Sequence, residues 1–242
     1  MKKIASVLVV LFLTVNVTLA QNVKNLVHDA NAEIRKVKDF DAIEVSSAIT
    51  VYLSQGNENA VAISTDEGGN NNIKTEVKNN VLKIYPENDF LGKWNWGDRK
   101  IKAYITIQSL KKLYAGGACK VVLTEKLKAD DLKIELGGAS FLKGEINAST
   151  LSLSLGGAST ITINGTANNL EISAYGASNV KAYDLLVNTC SADANGASNI
   201  KVNVAKEFSH IHASGASSIH YKGDAVIKDF ESSGASSIKK EN

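Results

Sequence analysis

The sequence predicts an all-β protein built as a single-stranded parallel β-helix, with about 19–21 residues in each coil. Three observations lead there. The tripeptide Gly-Ala-Ser, or a one-residue variant, begins at Gly117, Gly138, Gly157, Gly176, Gly196, Gly215 and Gly234, a step of 19–21 residues each time. The position four residues after each of these glycines is always aliphatic: Val121, Leu142, Ile161, Val180, Ile200, Ile219 and Ile238. Apolar and polar residues alternate on both sides of the tripeptide, as in Ile134-Glu135-Leu136 and Leu153-Ser154-Leu155. A short, regular period means stacked units that bury their apolar sides against one another, and alternation by two means strands.

Reading from the amino terminus, Lys2 and Lys3 precede the apolar stretch Ile4 to Val17, and Thr18-Leu19-Ala20 supplies small residues for cleavage. Residues 1–20 are therefore expected to be a secretion signal, leaving Gln21 first. No cysteine follows that point directly, so a lipid anchor of the usual bacterial kind is not expected, nor is an integral membrane segment after cleavage. Residues 21–38 lack a period and are expected to be a flexible or helical lead-in. Residues 39–242 form the β-helix domain, irregular over 39–110 and regular over 111–242. In the irregular part, Ile43 to Val45, Ile49 to Leu53, Val61 to Ser64, Ile73 to Val77, Val81 to Tyr85 and Ile101 to Ile107 carry the β-branched residues that favour strands. Ser47-Ala48 followed by Val51 echoes the later repeat and reads as a degenerate first coil.

Each regular coil is expected to hold three short strands and three corners. Glycine suits a corner because it adopts positive φ without steric cost. Alanine and serine are expected to fill the inside of the bend, with aligned serines bonding up the stack. A weaker apolar site lies nine or ten residues before the glycine, as Ala129, Ala148, Ala167, Val187 and Ala205. The charges of Lys239-Lys240-Glu241 would discourage another chain from adding to the end of the stack.

Cys119 and Cys190 lie four repeats apart. At ~4.8 Å per coil the thiols are roughly 19 Å apart along the axis, whereas a disulfide needs Cα atoms within about 7 Å. No bridge between them is expected.

Asp39-Phe40-Asp41-Ala42-Ile43-Glu44-Val45, then Val51-Tyr52-Leu53-Ser54-Gln55-Gly56, resembles the opening of the auto-transporter adhesin, head GIN domain family. Val81-Leu82-Lys83-Ile84-Tyr85, Ile101 to Leu113 and the Gly-Ala-Ser coils continue the likeness to about residue 238. The resemblance implies a right-handed β-helix, export by a Bacteroidetes-like bacterium and an adhesive role. It carries no catalytic motif, so no functional residues transfer from it.

Two groups of side chains are binding candidates. Trp94 and Trp96 lie two apart in the excursion from Pro86 to Arg99, so they share a face if it is extended. Exposed indoles stack on sugars or anchor a protein contact, while the alternative is that they cap the end of the helix. Asp193, His212 and Glu231 stand three residues before successive repeat glycines, with His210 and Asp229 running parallel. In register they would stand roughly 5 Å apart on an outward face. Carboxylates beside imidazoles suit a metal ion or acid–base pair, although outward strand positions on any soluble protein are polar.

Without Lys2 and Lys3 the chain has 25 Lys and Arg against 25 Asp and Glu, a balance that gives no reason to expect nucleic acid as a partner. Nucleophile elbows, Walker loops and paired-cysteine metal motifs are missing, so no catalytic residue, resident metal or cofactor is expected. The leading expectation is an exported, non-enzymatic binding or adhesion-type protein of the bacterial envelope, its partner a glycan or an envelope or surface protein. A periplasmic structural or envelope-stress component is the alternative, and a carbohydrate-active β-helix enzyme the third.

Overall fold

The computed structural model describes residues 29–66, 72–87 and 100–242. These residues form a β-solenoid of about seven turns, with no α-helix among them. The first strands are β1 (Glu33–Arg35), β2 (Ala42–Val45), β3 (Ile49–Gln55), β4 (Ala60–Thr65), β5 (Ile73–Lys78), β6 (Val81–Pro86) and β7 (Ile101–Ile107). Then come β8 (Lys112–Ala115), β9 (Lys120–Leu123), β10 (Leu127–Leu136), β11 (Phe141–Leu155), β12 (Thr160–Ala174), β13 (Asn179–Ala194) and β14 (Asn199–Ala213). The last turns hold β15 (Ser218–Lys222), β16 (Val226–Ile227), β17 (Phe230–Ser232) and β18 (Ser237–Lys240).

From β8 onward every pairing is parallel, and the aliphatic column runs in register as Val121, Leu142, Ile161, Val180, Ile200, Ile219 and Ile238. All but the last are fully buried. The coils do not break at three corners, however. Strand β11 alone runs through three faces, because its ladder bends at Gly144 and near Ser149 without interruption by a turn. From β11 to β14 the strands are interrupted at Gly-Ala-Ser alone, while the outer turns also break at 124–126 and between β15 and β17.

There the geometry corrects the expected packing. Gly138, Gly157 and Gly176 have φ near +70°, a conformation that costs other L-residues roughly 1–2 kcal/mol. A methyl at Gly157 would also overlap the carbonyl oxygen of Gly138 in the neighbouring coil. The alanine that follows faces solvent, as at Ala158 and Ala177, and only the serine turns inward. Ser140, Ser159, Ser178, Ser198 and Ser217 are buried. Their hydroxyls do not form a ladder. Ser140 donates to the carbonyl of Gly137 in its own corner, and Ser217 to that of Ala194 in the coil before, both at 2.8 Å. Bonding to a carbonyl at the bend offsets the cost of burying the hydroxyl; Ser178 is the exception, its buried hydroxyl having no partner. Cys119 takes the same place, its thiol donating to Gly116 and Ser47 carbonyls at 3.2 and 3.1 Å. Cys119 and Cys190 are both buried and free.

The third apolar site also shifts in one coil. Val187 pairs with Val204, which is buried, while Ala205 is exposed. Register shifts between β13 and β14 account for the displacement.

The N-terminal part departs most from a simple solenoid. β2 lies between β6 and β8, and β3 between β7 and β9. The coil opened by Ser47 is therefore second in the stack, with the later β6–β7 pair beneath it. Ser47 nonetheless plays the glycine's part, with φ of 73° and its carbonyl accepting from Ala118 N–H at 3.0 Å. The outer edges of the β6–β7 turn are covered by antiparallel strands. β5 returns on β6 through the Asn79-Asn80 turn, while β4 pairs with β7 and β1 with β4. Two residues with positive φ are what a tight two-residue hairpin requires.

β1 lies within the expected lead-in, so the described part of that segment holds a short strand and no helix, and Asp29 anchors it. Asp29 accepts from Tyr104 Oη at 2.7 Å, Ser64 Oγ at 2.9 Å and Lys102 Nζ at 3.1 Å. Burial alone would raise its pKa, but these donors and the Asn31 N–H outweigh it and lower the value from 3.8 to about 2.

Two predictions follow from this packing. Ile200→Asp puts an unpaired charge into the spine and should lower stability by more than ~3 kcal/mol; an unchanged melting temperature would refute the placement. The anchor concerns pH. A carboxylate with a depressed folded pKa stabilises the fold above its ordinary range, and the contribution disappears as pH falls from near 4 towards about 2. Wild type should therefore melt well above Asp29→Asn at neutral pH, and the two curves should converge in that acid window. Parallel curves would show that the anchor contributes nothing through its charge.

Candidate functional site

Along the C-terminal half of β13 and β14, Ala192, Ala194, Ile211 and Ala213 point into the core. Alternation therefore turns Asp193, His210 and His212 outward on one sheet face. Parallel pairing sets Asp193 beside His212 and His212 beside Glu231 of β17. The expected column forms in register.

His210 was seen in the sequence only as part of a parallel row, yet it is the best-connected residue of the group. Its Nδ1 lies 2.7 Å from Asp229 Oδ2 and its Nε2 lies 3.3 Å from Asp193 Oδ1. His212 Nδ1 lies 3.7 Å from the same Asp193 oxygen and 4.0 Å from Glu231 Oε2. The two imidazoles meet edge to face, centroids 6.0 Å apart. Counting from the glycine placed His210 and Asp229 in a row five residues before it, which was the available signal. The diagonal reach from Asp193 to His210 depends on side-chain rotamers, which a count does not contain.

A carboxylate cannot donate, so His210 Nδ1 carries the proton in the Asp229 hydrogen bond. That bond is the main reason the His210 pKa lies above the usual imidazole value; partial burial opposes it and the Asp193 and Asp229 charges reinforce it. At 3.7 Å His212 is too far from Asp193 for a hydrogen bond. Its other nitrogen, Nε2, is buried and has no partner. Among the described residues, Asp193, His210 and His212 are the one group of three or more His, Cys, Asp or Glu whose ligand atoms all lie within 4.8 Å of one another.

A second feature was not anticipated. At the bend near Ser149, between the second and third faces of each coil, a shallow groove of about 450 Å³ crosses several turns. Lys128 and Asp130, Asn147 and Ser149, and Thr166 and Asn168 line it in pairs from successive coils, over a floor that includes Ala148 and Ala167. Asn188 donates to Asn168 Oδ1 at 3.1 Å, continuing the row. At the N-terminal side, Gln55 takes the place of a missing strand, its amide bonding Lys128 N–H at 2.9 Å and Lys128 C=O at 3.0 Å. The alanines of this row carry the weak apolar signal in the sequence, while their polar neighbours look there like any turn residues, since Asn and Ser at a bend satisfy ordinary turn chemistry.

Trp94 and Trp96 lie outside the described residues. Among the described residues no helix is long and apolar enough to cross a membrane.

Comparison with known proteins adds three findings. The family model described as "Putative auto-transporter adhesin, head GIN domain" matches residues 39–225. A crystal structure described as a putative adhesin from Bacteroides fragilis NCTC 9343 is similar with a TM-score of 0.77 and 24% identity, covering 87% of this chain and 96% of that one. A "putative lipid binding protein" from Parabacteroides distasonis ATCC 8503 is similar with a TM-score of 0.67 and 22% identity, covering 88% and 98%. At these identities the likeness is one of fold. Among curated proteins none is similar to this chain.

Proposed function

The chain belongs to the family described as auto-transporter adhesin, head GIN domain, and on that premise we propose that it is an exported, non-enzymatic binding protein of the bacterial envelope. The single observation that carries the reading is the polar groove at the coil bend. Its amide, hydroxyl and charged side chains come in pairs from successive coils and repeat at strand spacing instead of converging on one point. Repetition of that kind suits an extended partner held by many modest hydrogen bonds, and a glycan chain has the hydroxyls and the length for it. The fold likeness to proteins described as putative adhesins supports the same reading. The name of the Parabacteroides distasonis neighbour suggests lipid as another ligand, but the polar lining of this groove favours a hydroxyl-rich one.

Location is the first test. Protease added to intact cells should digest the protein if the solenoid stands outside, whereas protection until the envelope is permeabilised would confine it to the periplasm and end the adhesive reading. On the purified protein, Asn147→Ala combined with Asn168→Ala should weaken retention on a glycan array by about tenfold if two hydrogen bonds are lost. Unchanged retention would exclude the groove as the contact.

A further inference from the structure

The outward face of β13 and β14 brings three metal-ligand atoms together in a way that ordinary surface polarity does not require. Asp193 Oδ1 lies between two imidazole nitrogens, 3.3 Å from His210 Nε2 and 3.7 Å from His212 Nδ1. A tetrahedral ion with bonds of about 2.0–2.2 Å to nitrogen and oxygen has ligand atoms roughly 3.3 Å apart along each edge. Two edges are thus near their final length. The third lies within 4.8 Å, a gap that side-chain rotation can close.

The surroundings make the same point independently. Asp229 holds His210 by the opposite ring nitrogen at 2.7 Å. This is the carboxylate–histidine arrangement that fixes a ligand's tautomer and aims its lone pair. Nε2, the ring nitrogen that faces Asp193 Oδ1 at 3.3 Å, is then the one left to bind an ion. Glu231 Oε2, 4.0 Å from His212 Nδ1, is within reach of the fourth position, as is a water molecule.

We propose that Asp193, His210 and His212 form a binding site for a divalent transition-metal ion of the zinc class, with Asp229 as the residue that positions His210. Two imidazoles and one carboxylate favour zinc, cobalt, nickel or copper over calcium and magnesium, which prefer shells of oxygen alone. The three ligands come from adjacent turns, so the ion would clip one coil to the next near the C-terminal end of the stack. The site is separate from the groove of the proposed binding role, and each stands or falls alone.

Isothermal titration of the purified exported protein with zinc chloride tests it. One saturable site per chain is expected, unaffected by excess magnesium, and the ion should raise the melting temperature by mass action. His210→Gln and His212→Gln should each weaken zinc at least about 30-fold, and Asp229→Asn roughly tenfold. His220→Gln, which alters the other described histidine, should change nothing. Cobalt should give the strong visible absorption of tetrahedral coordination in wild type, and His212→Gln should remove it. If a histidine variant fails to fold, Asp193→Asn takes its place with the same expectation. No saturable uptake at millimolar zinc, or uptake that survives these ligand substitutions, would overturn the site.

Discussion

The fold depends on one backbone hydrogen bond repeated at every Gly-Ala-Ser corner. The alanine N–H donates to the carbonyl of the corner glycine one coil earlier, at 2.6–2.8 Å from Ala139 through Ala235. Positive φ aims the carbonyl at the next coil in this bend, as Ser47 also shows, and from Gly138 onward a Cβ at the corner would meet the carbonyl of the coil before. The ladder therefore passes through the corner unbroken, and neighbouring turns are locked in register at strand spacing. Everything outward and inward follows from that register. The aliphatic spine fills the interior because its members must superimpose. The polar rows outside superimpose for the same reason, including the groove at the bend and the His–Asp face.

The two ends of the stack are unlike. Beneath the first turns, β1, β4 and β5 run antiparallel and cover the edges that parallel coils would leave open. At the other end Phe230 continues the column of Ile211 but is 56% exposed, since no further described coil lies over it. The cluster of Asp193, His210 and His212 sits near these last turns.

Much of this was legible in the sequence, and the reason is repetition. One corner seen once is an ordinary turn; seven at a fixed step name the spine residues from Val121 to Ile238. Even Ser47 was recognisable as a glycine substitute, and it has the required φ. What repetition does not contain was misread. The order of coils could not be inferred, because local alternation marks β2, β3, β6 and β7 as strands without saying which stacks on which. Alanine and serine both read as inside residues, although the bend has one inside position; serine or Cys119 takes it, in most coils with a bond to a nearby carbonyl. At the His–Asp face the column of Asp193, His212 and Glu231 was readable, but the central part of His210 was not. It depends on which rotamers bring a diagonal pair together.

The most direct test of the corner is a pair of single substitutions. Gly157→Ala adds one methyl where φ is +70° and the Gly138 carbonyl stands in the way. Ala158→Gly changes the neighbouring residue, which faces solvent. Chemical unfolding of both should show Gly157→Ala destabilised by at least ~2 kcal/mol, combining left-handed strain with the carbonyl overlap, and Ala158→Gly by no more than about 1 kcal/mol. Equal losses would mean that the corner tolerates a side chain, and the claim that the glycine carbonyl sets the register would fail.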